Sequence, residues 1–420
     1  MQEHANPATL QARLDSLAAR VRTETQVPGI AIGASVDGRR YRAVAGTRLA
    51  GERRPLTLDC RYELGCASKL PLAITAHELA RRGRLDLADP ISEYLPELRS
   101  AEHGGVRCEH LLSHTSGYRG TSIFDDDTRA FTWDSLVRYL HRAPRQFAPG
   151  TVFSYEHTES ILLGEIVRRV GAPRDPADDA PASPGAGRHR FDEREGRFTT
   201  LDDADSIPPF WRAAFSPRAV TIDDLLAIGE TASRQPELER SVVRLPEAAG
   251  GPLRELLPIA FGLGSAELRG DFRGNTGLAA GQCVGLRFSA ARKICVAVAV
   301  NAMVPYLRDF VLAALCTEVT GRPERHDAAP FPFDLRDLTG RYIGPGTATV
   351  EVDLAAERLI CKLGHESRPG ALHVDFVLDD DGRAVLRSPI PHLSLGFFVE
   401  PGEGATGLML GLSAYRRVAR

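Results

Sequence analysis

The chain contains almost no lysine. Only three of its 52 basic residues are lysine, at positions 69, 293 and 362, and the other basic positions all carry arginine. Arginine stays protonated in proteins, whereas a buried lysine can lose its charge and act as a base. The lysine kept at Lys69, three residues after Cys66, is therefore more informative than a lysine in an ordinary chain.

The sequence also lacks an excess of either charge. With 420 residues and a formal net charge of -3, it gives no electrostatic basis for binding nucleic acid or an anionic membrane, and we expect neither as a partner. A chain of this length exceeds the usual size of a single core, and 43% of its residues are hydrophobic. We therefore expect more than one domain, or one large two-lobed domain.

Paired cysteines and long apolar runs are absent too. The seven cysteines are scattered and form no C-x-x-C pair, which argues against a disulfide framework and a zinc site. We expect reduced thiols, no metal and no cofactor. No apolar run is long enough to span a bilayer, and the N-terminal "MQEHANPATLQARL" lacks a basic region followed by an apolar one. These features predict a cytoplasmic protein without a signal peptide.

Hydrophobic periodicity outlines the elements of the N-terminal part. It predicts a helix over residues 8–22 and a β-hairpin over "VPGIAIGASVDGRRYRAVAG", which has an Asp-Gly turn at its centre. A second helix is predicted from Leu70 to Arg82, with Gly83 as its C-cap. Cys66 and Lys69 then lie one turn apart at the start of that helix, on the same face.

Further along, the pattern predicts a helix at "TIDDLLAIGETAS", strands at "CVGLRFS" and "KICVAVAVN", and a helix around "LRDFVLAALCTEVT". Residues 172–206 are rich in Pro, Ala, Gly and charge, and we predict a flexible segment there. Short strand-like runs between turns predict a small β domain at residues 329–420. The remainder, residues 1–328, is predicted as one domain with a helical subdomain at about 85–235.

Three short segments combine into a signature. They are Cys66-Ala67-Ser68-Lys69, Tyr155-Glu156-His157 and Asn275-Thr276-Gly277. In this order and spacing the chain resembles the serine β-lactamase and penicillin-binding-protein superfamily, nearest its class C, esterase and D-aminopeptidase branch. The stretches "HLLSHTSGY", "LDLADPISEYLPEL", "PGTVFSY" and "LLGEIV" are similar to that family as well. The resemblance implies an α/β fold with an antiparallel sheet, flanking helices, an inserted helical subdomain and an appended small barrel-like domain.

The signature departs from the family pattern at three positions. Cys66 stands at the nucleophilic serine, His157 at the asparagine of the second motif, and Asn275 at the cation of the third. The family places its nucleophile at a helix N-terminus, where free backbone N–H groups favour a thiolate and later an oxyanion. Ser68 cannot be the motif serine, because the lysine directly follows it.

Roles for the retained residues come from the resemblance. It implies that Lys69 takes the thiol proton or holds the thiolate as an ion pair, and that Tyr155 relays a proton to the leaving group. The backbone N–H groups of Cys66 and Leu278 would form the oxyanion hole, beside Thr276 and Gly277 of the third motif. His157 is a second candidate base, in a Cys66-His157 couple, or it orients Lys69 by a hydrogen bond.

A sulfur nucleophile changes the favoured reaction. A free thiol has a pKa near 8.5, so it needs less activation than a hydroxyl, and its acyl-enzyme is a thioester, which amines attack readily relative to water. We therefore predict an acyltransferase that moves an acyl group from an activated ester or thioester to an amine or alcohol, as in secondary-metabolite biosynthesis. Donor and acceptor are small molecules, free or carrier-protein-bound. The missing cation at Asn275 argues against β-lactamase and carboxypeptidase activity.

Two other functions fit the same residues. In the first, water hydrolyses the acyl-enzyme and the protein is a thiol-dependent esterase or amidase. In the second, Cys66 is only a small apolar residue and the protein is a catalytically silent binding scaffold. His110 and His114 have the i, i+4 spacing of metal ligands, but they fall in the turn "HLLSHTSG" that the family uses structurally. We interpret them as structural residues.

Overall fold

The computed structural model describes residues 7–119, 132–143, 145–171, 185–192, 195–201, 219–246, 258–279, 281–321, 334–343, 348–355, 358–365, 368–378, 384–387, 395–400, 404–410 and 413–418. These residues fall into two compact units. The first comprises Met1–Leu85, Val167–Ser241 and Gly262–Glu324, and the second comprises Asp86–Ile166, Val242–Phe261 and Arg325–Arg420.

The helices and strands follow one another in mixed order along the chain. The helices are α1 (Pro7–Thr25), α2 (Lys69–Arg81), α3 (Cys108–Leu112), α4 (Trp133–Arg142), α5 (His157–Arg169), α6 (Ile222–Ala232) and α7 (Pro305–Thr320). The strands up to the C-terminal region are β1 (Gly29–Val36), β2 (Arg39–Gly46), β3 (Tyr62–Glu63), β4 (His189–Asp192), β5 (Arg197–Thr200), β6 (Ala219–Val220), β7 (Ser241–Arg244), β8 (Ala260–Gly262), β9 (Ala266–Glu267), β10 (Arg273–Ala279), β11 (Gln282–Ser289) and β12 (Ile294–Val300). The division between the units falls within α5, β7 and β8.

An antiparallel sheet forms the centre of the first unit. The sheet has eight strands in the order β2-β1-β12-β11-β10-β9-β8-β7, of which the first six lie wholly within this unit. The predicted hairpin is confirmed as β1 and β2, and its turn residues Asp37 and Gly38 have φ of 49° and 80°, the left-handed pair that a two-residue hairpin turn requires. The helices predicted at both ends of this unit are confirmed as α1 and α7.

The two faces of this sheet bury different helices, because side chains alternate along each strand. On one face Ile30 and Ile32 of β1 join Val298 of β12 and the apolar sides of α1 and α7 in a single core. On the other face the bare Cα of Gly33 lies against α6, so that a Cβ there would come within 3.0 Å of Leu226. A sheet covered by helices on both faces confirms the predicted α/β class.

The helical part of the second unit contains α3, α4 and most of α5, and three short 3-10 turns precede α3, at Ile91–Glu93, Pro96–Leu98 and Ala101–His103. Thr132 caps α4 by accepting a hydrogen bond from Ser135 N–H at 3.3 Å. A loop at residues 114–117 holds the chain just before α5, since His114 O accepts from Ser154 N–H at 2.8 Å and Thr115 O accepts from Gly150 N–H at 2.7 Å.

Within its described residues the C-terminal region consists of β-strands preceded by one short 3-10 helix, Leu335–Leu338. Its strands are β13 (Gly340–Ile343), β14 (Ala348–Ala355), β15 (Arg358–His365), β16 (Arg368–Leu378), β17 (Ala384–Arg387), β18 (Leu395–Glu400), β19 (Gly404–Leu410) and β20 (Ser413–Val418). They form one eight-stranded sheet in the order β17-β16-β15-β14-β13-β20-β19-β18. The predicted small β region near the C-terminus is thus confirmed, while its predicted boundary at 328/329 lies outside the described residues and stays a prediction.

The structure differs from the sequence prediction in the segment 172–206. Residues 185–201 include the two-stranded hairpin β4–β5, in which His189 pairs with Thr200. His189 is fully buried, donates to Asn301 O at 2.5 Å and accepts from Ala50 N–H at 3.0 Å. These contacts come from distant parts of the chain, so a local composition rich in glycine and charge gave no sign of them. Residues 172–184 and 202–206 lie outside the described part.

No helix in the described residues is both long and apolar enough to cross a membrane.

Candidate active site

Cys66 lies in a 3-10 turn, Gly65–Ser68, that leads directly into α2. A 3-10 turn has three residues per turn, which places residue i+3 in line with residue i, so Lys69 follows Cys66 on the same side. Cys66 is partly exposed, whereas the Lys69 side chain is buried, with 6% of its surface exposed. Pro71 is the third residue of α2, in the first turn, where its missing N–H breaks no helical hydrogen bond.

Ser68, the neighbouring hydroxyl, is engaged elsewhere. It is buried at 3% exposure, and its Oγ donates to Gly65 O at 2.7 Å. This hydrogen bond closes the 3-10 turn from within. The only hydroxyl of the Cys66–Lys69 motif therefore stabilises the turn, and the thiol is the group that faces outward.

The turn packs directly on strand β10, backbone against backbone. Gly65 has φ of 51°, and a Cβ at this position would lie 2.0 Å from Leu278 O. A Cβ at Gly277 would lie 1.8 Å from Leu64 O and 2.7 Å from Ala67 N. Only glycine fits at either position. The two glycines let the peptide group of Leu278 approach the residues on both sides of Cys66, as an oxyanion hole made from Cys66 and Leu278 requires.

Asn275 presents a neutral amide at the start of the third motif. Its Oδ1 accepts from Thr276 N–H at 3.0 Å. Its Nδ2 is buried, and no acceptor among the described residues lies within hydrogen-bond distance of it. Where the family carries a cation, this chain therefore offers an uncharged hydrogen-bond donor.

The other six cysteines have a different environment, because all of them are buried. Burial raises the pKa of Cys283 to about 11 and the pKa of Cys108 to about 12, so these thiols stay protonated at neutral pH. They are small core residues. Cys66 is the one thiol of the seven that solvent reaches to an appreciable extent.

Tyr155 and His157 lie in the second unit, on the loop that precedes α5 and on its first residue. Both are partly exposed, whereas Ser154, Glu156 and Thr158 between and beside them are buried. The two rings stand perpendicular to each other with centroids 5.9 Å apart. The alternation presents a phenol and an imidazole on the same side of the chain.

Sequence reasoning missed a buried network under Tyr155. His114 Nδ1 donates to Glu159 Oε2 at 2.5 Å, and Ser116 Oγ donates to Glu159 Oε1 at 2.7 Å. The His114 ring lies 4.6 Å from the Tyr155 ring. The network therefore supports the Tyr155 ring from behind. No local pattern points to this network, because its members come from the loop at residues 114–117 and from α5 and meet only in the fold.

His110 has a separate structural task, as the sequence suggested. Its Nδ1 accepts from Arg107 N–H at 3.1 Å and so caps α3. Within the described ranges, no group of three or more His, Cys, Asp or Glu side chains is arranged to hold a metal ion.

The structure brings most of the predicted site residues together in the first unit: Cys66, Lys69, Asn275, Thr276, Gly277 and Leu278. Tyr155 and His157 belong to the second unit. The first group supplies a thiol, a buried lysine and backbone N–H donors, and the second supplies two groups able to transfer protons.

Comparison with known proteins places this chain in a family. The family model described as beta-lactamase matches residues 14–317. This match covers well over half of the chain, and the chain therefore belongs to the beta-lactamase family.

Curated relatives include esterases, β-lactamases and penicillin-binding proteins. Esterase EstB of Burkholderia gladioli is 32% identical over 191 residues, which cover 41% of this chain and 49% of the esterase. The beta-lactamase of Escherichia coli K12 is 26% identical, covering 34% of this chain and 37% of that protein. Penicillin-binding protein 4 of Amycolatopsis lactamdurans is 32% identical, covering 37% and 41%. The matched part of this chain thus spans about half or less of each relative.

Solved structures match over a longer stretch. The crystal structure of SurE superimposes with a TM-score of 0.76, covering 98% of this chain and all of SurE, at 21% identity. The octameric penicillin-binding protein homologue from Pyrococcus abyssi gives a TM-score of 0.58, covering 96% of this chain and 99% of that one, also at 21% identity. At these identities the likeness establishes the fold, including the C-terminal β region.

Proposed function

We propose that this protein is an acyltransferase that works through a thioester on Cys66. One observation carries the proposal: Cys66 is the only thiol of the seven that is not buried, and it lies in the turn that starts α2, one turn before a buried lysine. A thiol in such a position is favoured as a thiolate, because helix N-terminal N–H groups and a nearby cation stabilise negative charge.

In the acylation step, Lys69 takes the thiol proton and Cys66 Sγ attacks the carbonyl carbon of an activated ester or thioester. A C–S bond forms, and the carbonyl π electrons move onto oxygen. The resulting oxyanion accepts hydrogen bonds from the N–H groups of Cys66 and Leu278. When the C=O bond re-forms, the donor's alkoxide or thiolate leaves and receives the proton that Lys69 had taken, with Tyr155 as the relay.

In the transfer step, an amine or alcohol attacks the Cys66 thioester and loses a proton to the base. The tetrahedral intermediate collapses, the new amide or ester is released, and Cys66 leaves as a thiolate that is ready for protonation. Lys69 is the proposed base, and His157 is the alternative base. A thioester favours this outcome because amines attack it readily relative to water.

Asn275 suggests what kind of substrate fits. An uncharged amide donor stands where the family has a cation, so a carboxylate lacks its usual partner there. We therefore propose small-molecule donors with a neutral group next to the scissile carbonyl, either free or attached to a carrier protein, as in secondary-metabolite biosynthesis. A structure of SurE was determined with D-Leu, a compound that carries an amine. Amino acids and their esters accordingly belong among the acceptors to be tested.

The test is intact-protein mass spectrometry with peptide mapping after brief exposure to acyl thioesters and 4-nitrophenyl esters. The proposal predicts an acyl adduct on Cys66 that disappears faster with an added amine than with buffer alone. Cys66→Ala should form no adduct, and Cys60→Ala, which removes another thiol of the same unit, should behave as wild type. A wild-type protein that gains no adduct from any donor contradicts the proposal.

A thiol-dependent esterase is the second candidate, and one observation favours it: the relative EstB is an esterase and is 32% identical over its matched part. This function shares the acylation step and differs only in deacylation. The esterase reading predicts that added amine leaves both the rate of adduct loss and the hydrolysed product unchanged. Adduct loss that rises in proportion to amine concentration excludes it as the main activity.

We propose that the reaction takes place in the cytoplasm. None of the seven cysteines, all of which the structure describes, is in a disulfide bond, and six are buried, as in proteins that fold under reducing conditions. Cell fractionation of the source organism, with an antibody against the protein, tests this location.

A further inference from the structure

Arg308 is a buried cation behind the candidate oxyanion hole. It lies in the first turn of α7, with 5% of its surface exposed. Its Nε and Nη2 donate to the two carboxylate oxygens of Asp309 at 2.7 and 2.9 Å, and its Nη1 donates to Gly277 O at 3.2 Å. The carboxylate thus fixes one edge of the guanidinium, and the other edge is directed at the backbone of β10.

The hydrogen bond from Arg308 to Gly277 O affects the neighbouring Leu278 N–H. Gly277 C=O and Leu278 N–H belong to the same peptide group, and a hydrogen bond to a carbonyl polarises the group so that its N–H becomes a stronger donor. A cation as the donor polarises it more than a neutral group would. Leu278 N–H is the backbone donor that the proposed function assigns to the oxyanion.

The sheet is shaped to let the arginine reach this peptide. Gly285 of β11 lies opposite Thr276 of β10, and a Cβ at Gly285 would come within 3.2 Å of Arg308 Cδ and 2.8 Å of Leu312 Cδ1. Because Gly285 has no side chain, the methylene groups of Arg308 have room to lie against this part of the sheet. Hydrogen bonds to the Asp309 carboxylate and to the Gly277 carbonyl therefore fix the guanidinium, and the bare Cα of Gly285 makes room for the rest of the side chain.

Arg308 also keeps its charge while buried. Burial works against the guanidinium charge, but the Asp309 carboxylate outweighs it, and Cys283 and Cys66 act in the same direction, so that the pKa of Arg308 lies above its ordinary value.

We infer that Arg308 is a positioning residue of the acyl-transfer site: by binding Gly277 O it strengthens the Leu278 N–H as an oxyanion donor. The inference rests on the proposed function for the identity of the oxyanion donors. It goes beyond that function, because none of the three sequence motifs contains Arg308.

The test compares two reactions of the same thiol. Alkylation of Cys66 by iodoacetamide needs the thiolate but forms no oxyanion. Acylation by 4-nitrophenyl acetate needs the thiolate and also passes through an oxyanion. Arg308→Gln should slow acylation by roughly 10- to 100-fold, somewhat less than the loss of a whole oxyanion donor. The alkylation rate should match wild type at high pH, where the thiol is fully ionised, because alkylation forms no oxyanion.

Two further variants separate polarisation from simple loss of packing. Arg308→Lys keeps the charge and should recover part of the acylation rate. Arg287→Gln removes another buried arginine, on β11 with its Nη1 4.0 Å from Cys316 Sγ, and should leave the ratio of acylation to alkylation unchanged. An Arg308→Gln variant in which both reactions keep their wild-type ratio overturns the inference.

An independent measurement tests the role of Arg308 even if the proposed function is wrong or if one variant does not fold. The amide signal of Leu278 in a ¹⁵N-labelled protein reports polarisation of its peptide group directly. Asp309→Asn, a milder change at a partly exposed residue, should shift this signal in the same direction as Arg308→Gln. If wild type accepts no acyl donor, the proposed function fails, and the Leu278 signal still decides the role of Arg308: an unchanged signal in both variants contradicts it.

Discussion

The two units position the predicted catalytic residues that each of them contains by different means. In the first unit the Cys66 turn and β10 touch through bare backbone at Gly65 and Gly277, and this unit also buries Lys69 and Arg308. In the second unit Tyr155 rests on side chains, the His114 ring and its partner Glu159. The backbone contact at the two glycines leaves no room for an added side-chain atom. In the side-chain network of the second unit, each hydrogen bond that is removed lowers the stability of the protein by a limited amount. The two parts should therefore respond differently to mutation.

The largest effect is expected at Gly277. Gly277→Ala places a methyl group 1.8 Å from Leu64 O, so the strand and the Cys66 turn must separate. We expect acylation of Cys66 to fall by about 10²-fold or more, as when an oxyanion donor is lost. The measurement is the burst of 4-nitrophenol from 4-nitrophenyl acetate.

Gly185→Ala is the control in the same unit, because a Cβ there meets only Arg61 O at 3.8 Å, an ordinary contact. It should react as wild type. A Gly277→Ala variant with a normal burst contradicts the assigned position of the oxyanion hole.

The second prediction concerns the other unit. His114→Ala leaves the buried Glu159 carboxylate with Ser116 as its remaining described donor, and we expect a loss of about 3 kcal/mol in unfolding free energy, as for a broken buried pair. Urea unfolding measures it. The iodoacetamide rate of Cys66 should stay at the wild-type value in the folded variant, because that turn is built entirely within the first unit.

His110→Ala is the matched control, since this histidine lies four residues earlier, is only half-buried and caps a short helix. Its cost should be about 1 kcal/mol, the usual value of a cap. Equal costs for the two variants would mean that the His114–Glu159 network adds no stability of its own.

These two parts also differ in how far the sequence predicted them. The pattern placed Cys66 and Lys69 at a helix start, because a helix start is a local signal, and α2 begins at Lys69. In the region of Asn275 it predicted strands only from Cys283 onward, and so it missed β10, which carries Asn275. The buried network was missed, because His114 and Glu159 meet only through folding and carry no periodicity. Arg308 was missed for the same reason, as a charged residue in an otherwise apolar helix pattern. The β4–β5 hairpin depends on distant partners of His189 in the same way.

A third prediction concerns Asn275 of the first unit and the charge of the acyl donor. Asn275→Lys restores a cation at the family position, and we expect about a tenfold rise in the acylation rate of a carboxylate-bearing ester relative to its neutral methyl ester. Competition between the two esters, followed by mass spectrometry, gives the ratio directly. Asn275→Gln, which keeps a neutral amide, should leave the preference unchanged. An Asn275→Lys variant with the wild-type preference would show that this position does not face the donor.

The fourth prediction is a pH dependence of the first unit. Burial lowers the pKa of both His77 and His189 below 6.5, and both lie in this unit. The unfolded chain therefore binds these protons more tightly than the folded one, so their contribution to stability is complete above pH 6.5 and declines as the pH falls below it.

Urea unfolding at pH 8, 6.5 and 5 tests this slope. His189→Asn should be less stable at pH 8 than wild type, since it removes the bonds to Asn301 O and Ala50 N–H, and its stability should depend less on pH. A wild-type stability that rises from pH 6.5 to pH 5 would contradict the sign of both shifts.

The smallest effect is expected in α5. Gly164 lies within the helix, and a Cβ there would meet no atom within 4 Å. Gly164→Ala should stabilise the protein by about 0.5–1 kcal/mol, because alanine loses less backbone entropy than glycine in a helix. Thermal unfolding measures the change, and a lower melting temperature would show that the helix needs a bare Cα at this position.

The central claim is that sulfur at position 66 directs the acyl group to an acceptor rather than to water. The most direct test is the ratio of aminolysis to hydrolysis for wild type and Cys66→Ser, measured with one activated ester over a range of amine concentrations. We predict that the ratio falls at least about tenfold in Cys66→Ser, because an oxygen ester discriminates less in favour of amines than a thioester does. An equal ratio in the two proteins would contradict the account.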